Sequence, residues 1–141
     1  MINVITRYRS FSCSEKKLAI QILYYLTIAK YYSSFLGIQG LIKRLNHNKT
    51  HNLTDPEEKN IQKVVVLTKS ISNKLPWKSR CLQEAIAMKL YLNKQKIKNI
   101  IKIGVKKDDS DNLTAHAWLT IDDTIIIGHH KTGEYTEITT I

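Results

Sequence analysis

The stretch Ile101–Gly128, IKIGVKKDDSDNLTAHAWLTIDDTIIIG, decides the fold class. Ile101, Ile103 and Val105 alternate with Lys102, Gly104 and Lys106, a period of two that predicts a half-buried strand. Lys107-Asp108-Asp109-Ser110-Asp111-Asn112 supplies a loop. Thr114–Ile121 resumes the alternation, with Ala115, Ala117, Leu119 and Ile121 on one face and His116, Trp118 and Thr120 on the other. Asp122-Asp123 reads as a tight turn. Thr124–Gly128 is then a third strand, and Tyr135–Ile141 a fourth.

Working back from Ile101, the period lengthens to 3.6. Leu82, Ala85, Ile86, Lys89 and Leu90 predict a helix from Cys81 to about Asn93. Thr54-Asp55-Pro56-Glu57 is a capping box with Pro near the first helical position, and Ile61, Val64, Val65, Thr68, Ile71 and Leu75 continue that helix to Pro76. Ser12-Cys13-Ser14-Glu15 is a second box. It opens a helix whose apolar face is Leu18, Ile22, Tyr25, Ala29, Tyr32 and Leu36, with Gly37 as its stop. A short helix over Ile38–Leu45 and a polar loop over 46–55 follow. Helices first and an antiparallel sheet second is an α+β pattern. The expected division is an N-terminal helical region, 1–53, and a core, 54–141, forming one compact unit.

A chain of 141 residues with 43% hydrophobic and 24% charged residues is sized and composed as a single globular domain. Two cysteines, Cys13 and Cys81, exclude a disulfide framework and a four-cysteine zinc site. The longest nearly apolar run, Leu18–Ala29, is too short to cross a bilayer, and the first residues lack the pattern of a secretory signal. A cytoplasmic location is expected. The net charge of +10 is concentrated: residues 59–107 hold thirteen Lys or Arg and one acid, Glu84, whereas 108–141 hold one Lys and seven acids. Such a block attracts polyanions, although solvated lysine faces account for it as simply. Aromatic residues do not interleave with the basic ones as base stacking requires, so nucleic acid is not expected as a partner. The five glycines are scattered and form no phosphate loop.

Cys81 stands out chemically. Near a helix N-terminus, with Lys78 and Arg80 beside it, a thiol is drawn towards its thiolate, and the free backbone N–H groups there can hold an oxyanion. Otherwise Cys81 is a small buried hydrophobe. His116 lies on the strand face opposite Ala115 and Ala117, where it can look across at the Cys81 helix and complete a Cys–His pair. If Asp122-Asp123 is a two-residue turn, Trp118 faces Ile127 and His116 faces His129, so a group near Gly128 or His129 is placed to orient His116. Asp122 and Asp123 themselves lie roughly 20 Å along the strand. His47 and His51 are four apart but sit in a loop with no third ligand evident, and neither a metal nor a cofactor is expected.

Leu75-Pro76-Trp77-Lys78-Ser79-Arg80-Cys81-Leu82-Gln83-Glu84-Ala85-Ile86-Ala87, Ile103-Gly104-Val105-Lys106 and Ala115-His116-Ala117-Trp118-Leu119 occur in an order and spacing that resembles the leader peptidases of lasso-peptide biosynthesis. These belong to the transglutaminase-like, papain-like cysteine protease group. The resemblance runs from about Leu75 to Gly128 and implies a Cys-bearing helix packed on an antiparallel sheet. It implies Cys81 as nucleophile, His116 as general base, and cleavage between leader and core of a ribosomal precursor. It also implies two partners in a stand-alone arrangement: a separate small leader-recognition protein, and an ATP-dependent cyclase that closes the freed core amine onto an acidic side chain. The family's usual third residue, an Asp about a dozen positions after the His, falls on or beside Gly128. His129 is the tentative third member, with a carboxylate elsewhere or a working dyad as the other options. Two further readings are an acyltransferase acting through the same site and a basic adaptor protein with an inert Cys81.

Overall fold

The computed structural model describes residues 12–45, 51, 53–77, 80–129, 131 and 133–141. Helices α1 (Cys13–Phe35), α2 (Gly37–Leu45), α3 (Asp55–Ser72) and α4 (Arg80–Lys94) precede strands β1 (Ile100–Lys107), β2 (Leu113–Ile121), β3 (Thr124–Ile127) and β4 (Thr136–Thr140). The strands form one antiparallel sheet in the order β3-β2-β1-β4, as the α+β reading requires.

Both capping boxes form. Glu15 N–H donates to Ser12 Oγ at 3.3 Å while Ser12 N–H donates to Glu15 Oε2 at 2.8 Å. At α3, Thr54 N–H and Oγ1 both donate to Glu57 Oε2. These bonds, with one from His51, hold the Glu57 carboxyl down at about 2. One helix end differs from expectation. Helix α3 stops at Ser72, four residues before Pro76. There Lys74 and Leu75 N–H groups bond only three residues back, winding the chain into turns ahead of the proline. The loop expected over 46–55 lies largely outside the described residues.

Helix α4 is the centre of the core. Ala85, Ile86, Ala87, Met88, Tyr91 and Leu92 are all buried, which is the signature of a helix enclosed on several sides rather than lying on a surface. It packs against α1 and α3 on one side and the sheet on the other. Ile22, Leu26 and Ala29 of α1 and Ile101, Ile103, Ala117, Leu119, Ile121 and Ile127 of the sheet belong to the same core. A buried cation pins its far end: Lys89 Nζ donates to Asn99 O and Oδ1 (both 3.3 Å) and to Ile141 O (3.1 Å). Burial pushes the Lys89 amine down to about 8.

Leu92→Ala, at a side chain with no exposure, should cost about 2–5 kcal/mol in urea unfolding; a loss under 1 kcal/mol would remove α4 from the centre of the core. Lys89 carries a pH signature. Its folded value lies below the unfolded 10.5, so between about pH 8 and 10.5 the unfolded chain binds more protons and stability rises with pH. Wild type should therefore gain stability relative to Lys89→Met across that window. A parallel pH dependence in the two proteins would contradict the burial.

Candidate active site

Cys81 sits in the first turn of α4 and is half-buried. The N–H groups of a first helical turn have no intrahelical acceptors, and the helix dipole favours negative charge there. The turn thus offers oxyanion donors beside a sulfur nucleophile.

Five residues return the chain from α4 to β1, with Ile97 N–H bonded to Leu92 O. Lys89 is level with Ile101, because it reaches Ile141, whose N–H and C=O both bond to Ile101. From that level Cys81 lies about 12 Å along the helix, at 1.5 Å per residue. Ile101 pairs with Leu119, and His116 lies about 10 Å further along β2, at strand rise. Cys81 and His116 thus both lie on the N-terminal side of that level, one along α4 and the other along β2.

His116 does not project from the side of β2 that α4 covers. The apolar set Ala117, Leu119 and Ile121 buries against the helices, so alternation turns His116 and Trp118 to the other side. This corrects the expectation that His116 looks across its own face at the Cys81 helix. The strand's apolar face is the one that pays for packing α4. Trp118 is buried all the same, lying where a Cβ on Gly104 would come within 2.8 Å of its ring.

His116 is held on that second face. Its Nε2 lies 2.8 Å from Gly128 O. A carbonyl oxygen only accepts, so Nε2 carries the hydrogen and Nδ1 keeps the lone pair of the neutral ring. The His116 ring stacks on Tyr135, with centroids 5.0 Å apart and planes at 29°, and Trp118 lies 6.1 Å away. Lys106 Nζ sits 4.9 Å from the centroid of the Tyr135 ring and pairs with Glu134.

The route to Gly128 departs from a continuous hairpin. Asp122 and Asp123 both take positive φ, 46° and 64°, making the tight turn expected of them. Ile121 pairs with Thr124 and Thr120 with Ile125, but Leu119 then pairs with Ile127. Ile126 is the extra residue of a bulge. The predicted pairing of Trp118 with Ile127 is thus off by one, and β3 ends at Ile127 instead of carrying His129 opposite His116. Gly128 follows with φ +82°, so close to β2 that a Cβ would lie 2.5 Å from Ala117 O and 2.9 Å from Trp118 Cα. Only glycine fits. His129 is exposed and lines a cleft with Leu53, Ile61 and Val65 between α3 and β3.

Sequence reasoning singled out Cys81, His116 and the neighbourhood of Gly128 as candidates but not Tyr135. Its nearness to His116 comes from the β4–β1 pairing of Thr136 with Val105, which no local spacing reveals. His51 bonds Glu57 at 2.9 Å, and His47 lies outside the described residues. Among the described residues, no helix is long and apolar enough to cross a membrane.

A family model described as the transglutaminase-like superfamily matches residues 23–140. No curated protein and no solved structure matches the chain.

Gly128→Ala combines backbone strain with a steric clash and should cost about 3 kcal/mol or more in urea unfolding. Gly133→Ala is the control, because φ is +78° but nothing lies within 4 Å of the added carbon. It should cost about 1–2 kcal/mol. Equal losses would show that the approach to β2 is not close.

Proposed function

Because the chain belongs to the transglutaminase-like superfamily, whose domains are generally catalytic and include cysteine peptidases and acyltransferases, we propose that it is a cysteine peptidase acting through Cys81 and His116. The observation that carries this reading is the His116 hydrogen bond. With Nε2–H committed to Gly128 O, Nδ1 is left as the basic nitrogen of the ring, the one that this reading pairs with Cys81.

The reaction follows from these groups. Cys81 Sγ–H loses its proton to His116 Nδ1, and the thiolate attacks the scissile carbonyl. N–H groups of the first α4 turn hold the oxyanion. The imidazolium returns the Nδ1 proton to the leaving amine, and the C–N bond breaks. Water, deprotonated by the same nitrogen, then releases the acyl-enzyme. The reading requires thiol and imidazole to meet beyond the end of the sheet, since they project from opposite sides of it.

The substrate rests on the sequence motifs. Leu75–Ala87, Ile103–Lys106 and Ala115–Leu119 together resemble lasso-peptide leader peptidases, so the bond cut is the one joining leader to core in a ribosomal precursor. A separate leader-recognition protein delivers the precursor, and an ATP-dependent cyclase takes the freed core. Superfamily membership also favours a second reading, acyl transfer to an amine through the same thioester.

Incubation with lasso-type precursor peptides and a leader-recognition protein, followed by mass analysis, separates the readings. Leader and core fragments whose masses sum to precursor plus water, lost in Cys81→Ala, are expected. Amine adducts of the leader would establish the transferase instead, and conversion that survives Cys81→Ala would overturn both.

A further inference from the structure

We propose that Gly128 and Tyr135 are positioning residues for His116: the Gly128 carbonyl fixes the Nε2–H tautomer and the Tyr135 ring fixes the plane of the imidazole, so that Nδ1 is the nitrogen used as base in the Cys81 peptidase reading. The proposal rests on the peptidase reading and deepens it.

The two contacts come from different strands. The carbonyl arrives from the end of β3, where the bulge at Ile126 and the close approach of Gly128 to Ala117 and Trp118 leave no room for any side chain at position 128. What the backbone supplies there instead is an acceptor 2.8 Å from Nε2. The ring arrives from the start of β4 at a centroid separation of 5.0 Å. Tyr135 is itself held by the Lys106 ammonium over its face and by the Thr136–Val105 pairing next to it. A hydrogen bond alone leaves an imidazole free to rock about the bond axis, and a stacked ring removes that freedom. The carbonyl sets the orientation and tautomer that a carboxylate would set, but it brings no full charge to the bond. Proton traffic is thereby confined to Nδ1: it takes the Sγ proton, forms the imidazolium with Nε2–H retained, and gives the same proton to the leaving amine.

The test is side-chain nitrogen NMR of His116 in ¹⁵N-labelled protein, at a pH where the ring is neutral. Expected are a protonated Nε2, an unprotonated Nδ1, and an Nε2–H signal protected from solvent exchange. Tyr135→Phe keeps the stack and should keep the protection. Tyr135→Leu should lose it and lower kcat in the precursor-cleavage assay about tenfold, part of the ~100-fold typical of a general base, with KM unchanged. A protonated Nδ1, or protection and kcat unchanged in Tyr135→Leu, would overturn the proposal. So would a kcat loss in His129→Ala that Tyr135→Leu does not share. The two levels separate cleanly: a protected Nε2–H in a protein that cleaves nothing refutes the peptidase reading alone, whereas cleavage with the opposite tautomer refutes the positioning alone.

Discussion

Enclosure of α4 is the constraint on which the rest of the structure depends. A helix buried along Ala85, Ile86, Met88 and Leu92 has to be covered by two layers, and α1 and α3 on one side and the sheet on the other supply them. That requirement turns the apolar side of β2 inward and leaves His116, Trp118 and Tyr135 to build a second, aromatic surface behind the sheet. Cys81 stands on the first turn of that enclosed helix. The cost is an ammonium group buried among carbonyls at the far end of the same helix.

The charge asymmetry of the sequence is partly cancelled in space. The basic block ends in β1, and the acidic segment after it folds back alongside. Lys106 pairs with Glu134, Lys102 lies 3.5 Å from Glu137, and Lys107 meets Asp111 at 2.8 Å. Solvent screens pairs near the surface, so they add little to stability. Their effect is to pair off lysines of the sheet, leaving the unbalanced positive charge of the block to the helical part of the chain.

Local chemistry made most of the fold legible. Both capping boxes, the change of period after α4 and the Asp122-Asp123 turn follow from residues within a few positions of one another, and each forms. What escaped depended on contacts between distant segments. A bulge at Ile126 leaves no mark in a run of isoleucines, yet it shifts the register so that Ile127 pairs with Leu119 rather than Trp118. The face that α4 would choose could not be read from alternation, because alternation defines two faces and does not say which one a helix will cover. In the site, Cys81 and His116 were marked by their neighbours in sequence, whereas Tyr135 was not, since it reaches His116 through strand pairing.

The alkylation rate of Cys81 against pH, resolved from Cys13 by peptide mass and repeated in His116→Ala, tests the central claim most directly. A working Cys81–His116 pair predicts an alkylation profile that moves when the imidazole is removed. An ordinary profile, identical in the two proteins, would contradict the pair and leave Cys81 as a structural residue of the α4 first turn.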